Sequence, residues 1–249
     1  MGVIDVLWLP GELAAAPVGE RATIVIDVIR ATTSITTALA AGADRVIPVR
    51  TVEAARDEAA RLEGALLCGE RRGLPPPGFD LGNAPEGFDR ETVGGRPLVF
   101  TTTNGTAAIE AVRGAAAVRL ACFRNAGAVA RAVAGDAARG GRGVTIVCAG
   151  RRGRVSMDDA WCAGHLVTRL ARAVEGATLT DGARAAEAAS AALGRPTAAG
   201  LARTWAGRAL NAIGRAADLR ACAAVDDLAV VPVWRDGALV AVRVGEEDV

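Results

Sequence analysis

VFTTTNGTAA, residues 99–108, is the stretch from which the fold can be read. An apolar β-run over 97–100 leads into three threonines, Asn104 and Gly105 turn the chain, and a helical pattern begins at Thr106. Backbone N–H groups and the positive end of a helix dipole face such a turn, and the threonine hydroxyls add donors without adding charge. The arrangement can cradle an anion. Thr and Asn are also ordinary N-cap residues, so the pattern alone fits a plain capped helix equally well.

The stretch has an echo upstream. IDVIRATTSITTALAAGA, residues 26–43, is again an apolar strand, a Thr/Ser turn and a helix. Thr32, Thr33 and Thr36 match Thr102, Thr103 and Thr106 at a constant offset. Val46 and Val118 then open a strand in each copy, and an Ala-rich helix follows each. This predicts a β–turn–α–β–α unit used twice, with two similar turns facing one site. The first copy carries Asp27 and Arg30, which the second lacks.

Outward from these turns the rest of the chain reads as α/β. Strands are expected over 3–9, 22–28, 46–49, 65–68, 118–122 and 143–148, with helices over 32–41 and 52–62 and from Asn125. Residues 10–21 form a connector, and 181–222 is helical in pattern with a break at 194–196. A hairpin over 228–234 and 238–244 turns at Asp236-Gly237. No composition break marks a linker. The expectation is therefore one α/β domain over 1–249, a layered sandwich with helices on both faces of a mixed sheet. The turns after Val28, Phe100 and Cys148 should line one cleft, because open α/β sheets place their chemistry at strand carboxyl ends.

The 249 residues are long enough for a sizeable core, and half of them are apolar, with Ala dominant and aromatics scarce. The net charge is +1, with no basic run and no interleaved aromatics, so neither nucleic acid nor an anionic membrane is an expected partner. All 29 basic residues are Arg, which excludes Schiff-base and Walker-type lysines. The single histidine, His165, excludes multi-histidine metal sites, and it falls within a helix where packing is its simplest role. Five scattered cysteines read as buried apolar residues of a reducing compartment. No apolar run is long enough to span a bilayer and no leader pattern opens the chain, so a cytoplasmic location is expected.

The irregular stretch GERRGLPPPGFDLGNAPEGFD, residues 69–89, is expected to be an ordered active-site loop, since it carries Glu70, Arg71, Arg72, Asp80 and Asn83. Asp158 and Asp159 open a helix after Ser156, where they either complement the dipole or supply a metal ligand. Carboxylates, arginines and Thr/Asn turns at strand ends suit Mg²⁺ and a small polyanion, and phosphomonoester hydrolysis fits that set.

The segments VIDVIRATTSITTALAAGA, GERRGLPPPGFDLGNAPE, VFTTTNGTAAI, the CAG and DDAWCAG pieces of 148–164, and DLRACAAVDDLAVVP together resemble the 2-phosphosulfolactate phosphatases of coenzyme M biosynthesis and their bacterial relatives. The resemblance implies a Mg²⁺-dependent phosphatase that converts 2-phospho-3-sulfolactate to 3-sulfolactate and phosphate. The catalytic candidates are then Asp27 and Arg30. Asp27 is either the nucleophile or a metal ligand. Candidates for binding substrate are Thr32, Thr33, Arg71, Asn83, Thr102, Thr103, Asn104, Gly105 and Thr106. Candidates for holding Mg²⁺ are Asp27, Glu70 and Asp159. A homodimer is the default assembly. Two positions depart from the family's pattern: Asp158-Asp159 stands where Glu-Asp is expected, and TWAGRAL, residues 204–210, replaces a Ser-x-His-Gly segment. Two other classes fit parts of the sequence. Cys148 and Arg154 have the Cys-x5-Arg spacing of cysteine-dependent phosphatases. A non-enzymatic binding protein for a phosphorylated metabolite would use the same cradle.

Overall fold

A computed structural model describes residues 2–16, 19, 21–140 and 143–243. Among these, ten strands form one mixed sheet in the order β4-β5-β3-β10-β9-β6-β2-β7-β1-β8. The first group to form a parallel set is β2 (Ala22–Ile26), flanked by β6 (Ala117–Ala121) and β7 (Gly143–Cys148). β1 (Val3–Leu7) and the edge strand β8 (Thr178–Leu179) extend it. The second set is β5 (Pro97–Thr101), flanked by β3 (Arg45–Pro48) and β4 (Leu66–Gly69). The hairpin of β9 (Val230–Arg235) and β10 (Ala238–Arg243) lies antiparallel to both and staples them together through Arg119↔Val233 and Leu239↔Val46. Val244, expected to end this hairpin, lies outside the described residues.

The internal repeat is present, in a different register and with its strands exchanged. In the first copy β2, α1 (Ala31–Ala40), β3, α2 (Val52–Ala59) and β4 follow one another. In the second, β5, α4 (Gly105–Ala111), β6, α5 (Ala126–Ala138) and β7 do so. The short α3 (Arg90–Val93) joins the copies. Each copy sends its later strands to the other: β3 and β4 pair with β5, while β6 and β7 pair with β2. The structure aligns Ile26 with Thr101 at the strand ends and Ala31 with Gly105 at the helix starts. Thr32 therefore corresponds to Thr106, not to Thr102. Matching the threonine runs by identity misplaced the register, because Thr102 stands at the position of Asp27 and the equivalent hydroxyls are those of Thr32 and Thr106.

Two cores follow from strand alternation. Ile24, Ile26, Ile146 and Cys148 face an outer layer of α5, α6 (Met157–Ala173) and α7 (Asp181–Leu193). Val25, Leu120 and Val147 face the opposite way, into a core that also holds Val46, Leu98 and Phe100 from the other strand group. The central helices α1 and α4 lie in this second core, contributing Ile35, Leu39, Ala108 and Ile109. This layering is the expected sandwich with helices on both sides of the strands. The remaining helices α8 (Ala198–Ala202), α9 (Trp205–Ala212) and α10 (Asp218–Ala223) close one end. Among the described residues no helix is long and apolar enough to cross a membrane.

The helix α1 carries threonines that are poor helix formers, and most of its hydroxyls donate to backbone carbonyls, while the buried Thr36 Oγ1 has no hydrogen-bond partner among the described residues. Thr33 donates to the carbonyl of Val28 at 2.8 Å, Thr37 to that of Thr33 at 2.7 Å, and Ser34 to that of Asn83 at 3.0 Å. The two central helices meet at their first turns. A Cβ on Gly105 would lie 2.3 Å from the Ala31 Cβ and 2.7 Å from Asp27 Oδ2. Gly105→Ala is therefore expected to destabilise the fold by about 1–3 kcal/mol, the usual cost of overpacking. Gly114→Ala, where an added Cβ meets nothing within 4 Å, should leave stability unchanged. Denaturant midpoints of the two variants check this, and equal midpoints would mean the crossing is looser than described.

Candidate active site

The carboxyl ends of β2, β4, β5 and β7 converge on one cleft of about 260 Å³, a size for a small metabolite. Its acids are Asp27 and Glu70, and its bases are Arg30, Arg72, Arg151 and Arg152. Asn83, Thr102, Thr103 and Asn104 supply neutral polar wall. Ala206 and Leu210 of α9, with Ile213 just past its end, form an apolar side. The TWAGRAL segment thus forms α9, and its Ala206 stands on the cleft wall.

Two carboxylates hold the turns in matching positions. Glu70 Oε1 accepts from the Thr103 N–H at 2.7 Å and Oε2 from the Gly73 N–H at 2.6 Å. Asp159 Oδ1 accepts from the Val28 N–H at 2.9 Å and Oδ2 from the Gly150 N–H at 3.0 Å. Val28 and Thr103 are equivalent in the repeat, so each carboxylate joins the turn after a central strand to the turn after its neighbour. Hydrogen bonds to a charged group are worth about 1.5–3 kcal/mol each, so these are substantial braces.

The two N-cap residues cross between the halves in the same paired way. Arg30, at the start of α1, forms a buried ion pair with Asp218 and donates to the Gly73 carbonyl at 2.7 Å. Asn104, at the start of α4, accepts from the Arg152 N–H through Oδ1 at 3.2 Å.

Asp27 differs from the braces. Its Oδ1 takes a long 3.4 Å bond from the Ala31 N–H, and among the described residues Oδ2 accepts none. Burial pushes its carboxyl up to about 7, and the charges of Asp158 and Glu70 add to that push against the Ala31 N–H and Arg30. Burial also raises Asp158, against a hydrogen bond from Ser156, and raises Asp159 with help from Asp158 and Asp27. Ser156 thus uses its hydroxyl on Asp158, not on the helix N-terminus.

Several expected site residues sit behind the cleft wall. Thr32 donates to the Asp27 carbonyl at 2.9 Å and accepts from the Asp27 N–H, and Thr106 does the same for Thr102. Thr33 is occupied by Val28, and Gly105 is packed under Asp27. These residues shape the turns and do not line the cleft. Arg71 is also off the wall, tied to Thr101 Oγ1 at 2.8 Å and to the carbonyls of Glu70 and Arg50. Asp27, Arg30, Glu70, Asn83, Thr102, Thr103 and Asn104 are brought together on the wall. Asp159 is buried beneath it, with both oxygens on backbone N–H groups. Sequence reasoning assigned no role to the wall residues Arg151 and Arg152. The signal was the tripeptide Arg-Arg-Gly, at 71–73 and again at 151–153.

A family profile described as 2-phosphosulpholactate phosphatase matches residues 9–237. The chain belongs to the 2-phosphosulpholactate phosphatase family. A relative from Thermotoga petrophila, named probable 2-phosphosulfolactate phosphatase, is 44% identical over 185 residues, 74% of either chain. One of the same name from Thermus thermophilus is 42% identical over 244 residues, covering 98% of this chain and 95% of its own. A third, from Deinococcus radiodurans, is 46% identical over 167 residues, 66% of this chain and 67% of its own. The geometry disfavours the Cys148–Arg154 alternative. Cys148 is buried, its thiol is pushed well up by burial and by Asp159 and Asp158, and neither it nor the exposed Arg154 lines the cleft. A nucleophilic cysteine needs the opposite environment. All five thiols are buried. Treating the folded protein with an alkylating reagent near neutral pH should leave them unmodified by mass and leave phosphatase activity intact. Loss of activity with one modification at Cys148 would restore the thiol reading.

Proposed function

We propose that this phosphatase hydrolyses 2-phospho-3-sulfolactate to 3-sulfolactate and phosphate, with Mg²⁺ bound in the cleft. The family and the names of its relatives support the substrate. The observation that carries the mechanism is a pair of unspent oxygens on the wall of an arginine-lined cleft. Asp27 Oδ2 accepts no hydrogen bond among the described residues, and Asn83 Oδ1 is buried with no partner.

That donor set fits Mg²⁺. Hard oxygens are its preferred ligands, and it needs only one or two carboxylates beside substrate oxygens and water. Among the described residues no three acidic, histidine or cysteine side chains gather into a metal cluster, so an all-protein cage is not the model. Asp27 with Asn83 Oδ1 would hold the ion, and Glu70 stands beside them with its oxygens already bonded to two N–H groups. Asp159 is left out of the set because both its oxygens are spent under the wall. When bound, the ion supplies positive charge against the phosphoryl oxygens.

The chain's own groups do the positioning. The starts of α1 and α4 bring the positive ends of their dipoles towards the cleft, and the phosphoryl group is held there beside Thr102 and Thr103. Water adds to phosphorus, the P–O ester bond breaks, and the leaving oxygen takes up a proton to give the 2-hydroxyl of sulfolactate. Such a reaction asks the protein mainly for alignment and electrostatic stabilisation. Arg30 keeps the α1 start and the 71–74 turn in register by bridging Asp218 and Gly73. The apolar side of α9 limits bulk water.

Phosphate release from 2-phosphosulfolactate, measured with purified protein before and after chelation, tests the reading. Chelation should abolish turnover and added Mg²⁺ should restore it. Asp27→Asn should reduce kcat by on the order of 10³-fold while the protein stays folded. Undiminished turnover in chelator, or an Asp27→Asn enzyme within a few-fold of the parent, would defeat the proposed role of that carboxylate.

A further inference from the structure

The two Arg-Arg-Gly turns are a matched pair. Both follow the third strand of their copy, β4 in one case and β7 in the other. Both close a tight antiparallel bridge, Arg71↔Leu74 and Arg151↔Arg154. Both have two central residues at positive φ, Arg72 at 57° with Gly73 at 86°, and Arg152 at 51° with Gly153 at 71°. That is the type I′ pattern, whose first central position favours Asn, Asp or Gly. Arginine there is strained, since a non-glycine residue pays for left-handed backbone. The chain pays this cost twice, at equivalent positions, and both residues line the same cleft.

Neither side chain is used in holding the fold. Among the described residues Arg72 and Arg152 form no side-chain hydrogen bond and no ion pair, whereas Arg30 and Arg71 are fully engaged. The turns themselves are fixed without them. Glu70 and Arg30 hold the first through Gly73, and Asn104 holds the second through the Arg152 N–H. Two rigid turns on opposite halves of the cleft thus present two free guanidinium groups. Guanidinium is the side chain suited to planar bidentate capture of carboxylate and similar oxyanions.

We propose that Arg72 and Arg152 are a two-pronged specificity clamp for the two acid groups that do not react, one prong for each. The substrate class is then a short-chain phosphomonoester with an anionic group on either side of the phosphate-bearing carbon. The proposal rests on the cleft being the phosphatase site described above. It adds that affinity for the carbon skeleton resides in the twin turns, separate from Asp27 and the phosphoryl pocket. Because each prong binds a group that is charged throughout the reaction, it contributes to KM and not to kcat.

The experiment uses asparagine at both positions, because Asn accepts left-handed backbone and precedes glycine well in a type I′ turn. Arg72→Asn and Arg152→Asn should fold with thermal midpoints equal to or above the parent's. Binding of 3-sulfolactate, which carries the two flanking acids and no phosphate, is read by calorimetry without turnover. Each variant should bind it at least tenfold more weakly, and the double variant should show no measurable binding. In steady-state assays each variant should raise KM for 2-phosphosulfolactate at least tenfold with kcat within a few-fold. KM for a monoester without flanking acids, such as phenyl phosphate, should not change. Unaltered 3-sulfolactate affinity in both variants overturns the clamp, as does an equal rise in KM for every ester. The parent enzyme's failure to hydrolyse 2-phosphosulfolactate would instead overturn the substrate assignment, and the calorimetric arm, repeated with malate, would still decide the clamp.

Discussion

The structure depends on how closely two helix starts approach each other. Ala31 and Gly105 are equivalent residues of the two copies, and they touch where the two central helices meet. Everything at the cleft is referred to that contact. It sets the separation of the turns that follow β2 and β5, and it places Gly105 directly beneath the Asp27 carboxylate. A larger residue would push both turns apart, and the carboxylate braces at Glu70 and Asp159 would then span the wrong distances. The near-absence of aromatic residues in the sequence is consistent with this, since close backbone approach is what an Ala- and Gly-rich interior offers.

The two copies differ at the cleft. Asp27 corresponds to Thr102, and Arg30 to Asn104. One half of the cleft therefore presents a carboxylate with an unspent oxygen, and the other presents a hydroxyl. A cavity whose two halves differ in this way can distinguish the two ends of a small polyanion. The negative charges that act on Asp27 come from both halves, Asp158 from its own and Glu70 from the other.

Much of this was legible in the sequence. The turn–helix pattern at 99–108 and its echo at 26–43 announced the repeat, and Asp27 was marked as the charge that the second copy lacks. What stayed hidden depends on three-dimensional pairing. The exchange of strands between copies leaves no trace in local periodicity, because β3 looks the same whichever neighbour it pairs with. Thr32, Thr33 and Thr106 looked like ligand-binding hydroxyls because a buried hydroxyl that bonds a backbone carbonyl has the same sequence signature as one that faces a ligand. Asp159 looked like a metal ligand because only the fold shows that two N–H groups reach it first. Arg151 and Arg152 could have been found by extending the search for repeats from the threonine turns to the Arg-Arg-Gly tripeptides.

The exchanged strands also bear on how the chain can be made. The central strand β2 ends at Ile26, yet its partners begin at Ala117 and Gly143. During vectorial synthesis β2 has no hydrogen-bonding neighbour on either side until β6 is made, nearly half-way along the chain. The second group is completed earlier, since β3, β4 and β5 are all made by Thr101. Long-range parallel pairing of this kind is slow to form and leaves apolar edges exposed while it waits. The C-terminal hairpin, made last, then closes the sheet across both groups. No single cut in the chain yields two pieces that each contain a complete three-stranded set, so neither copy can serve as a folding unit by itself.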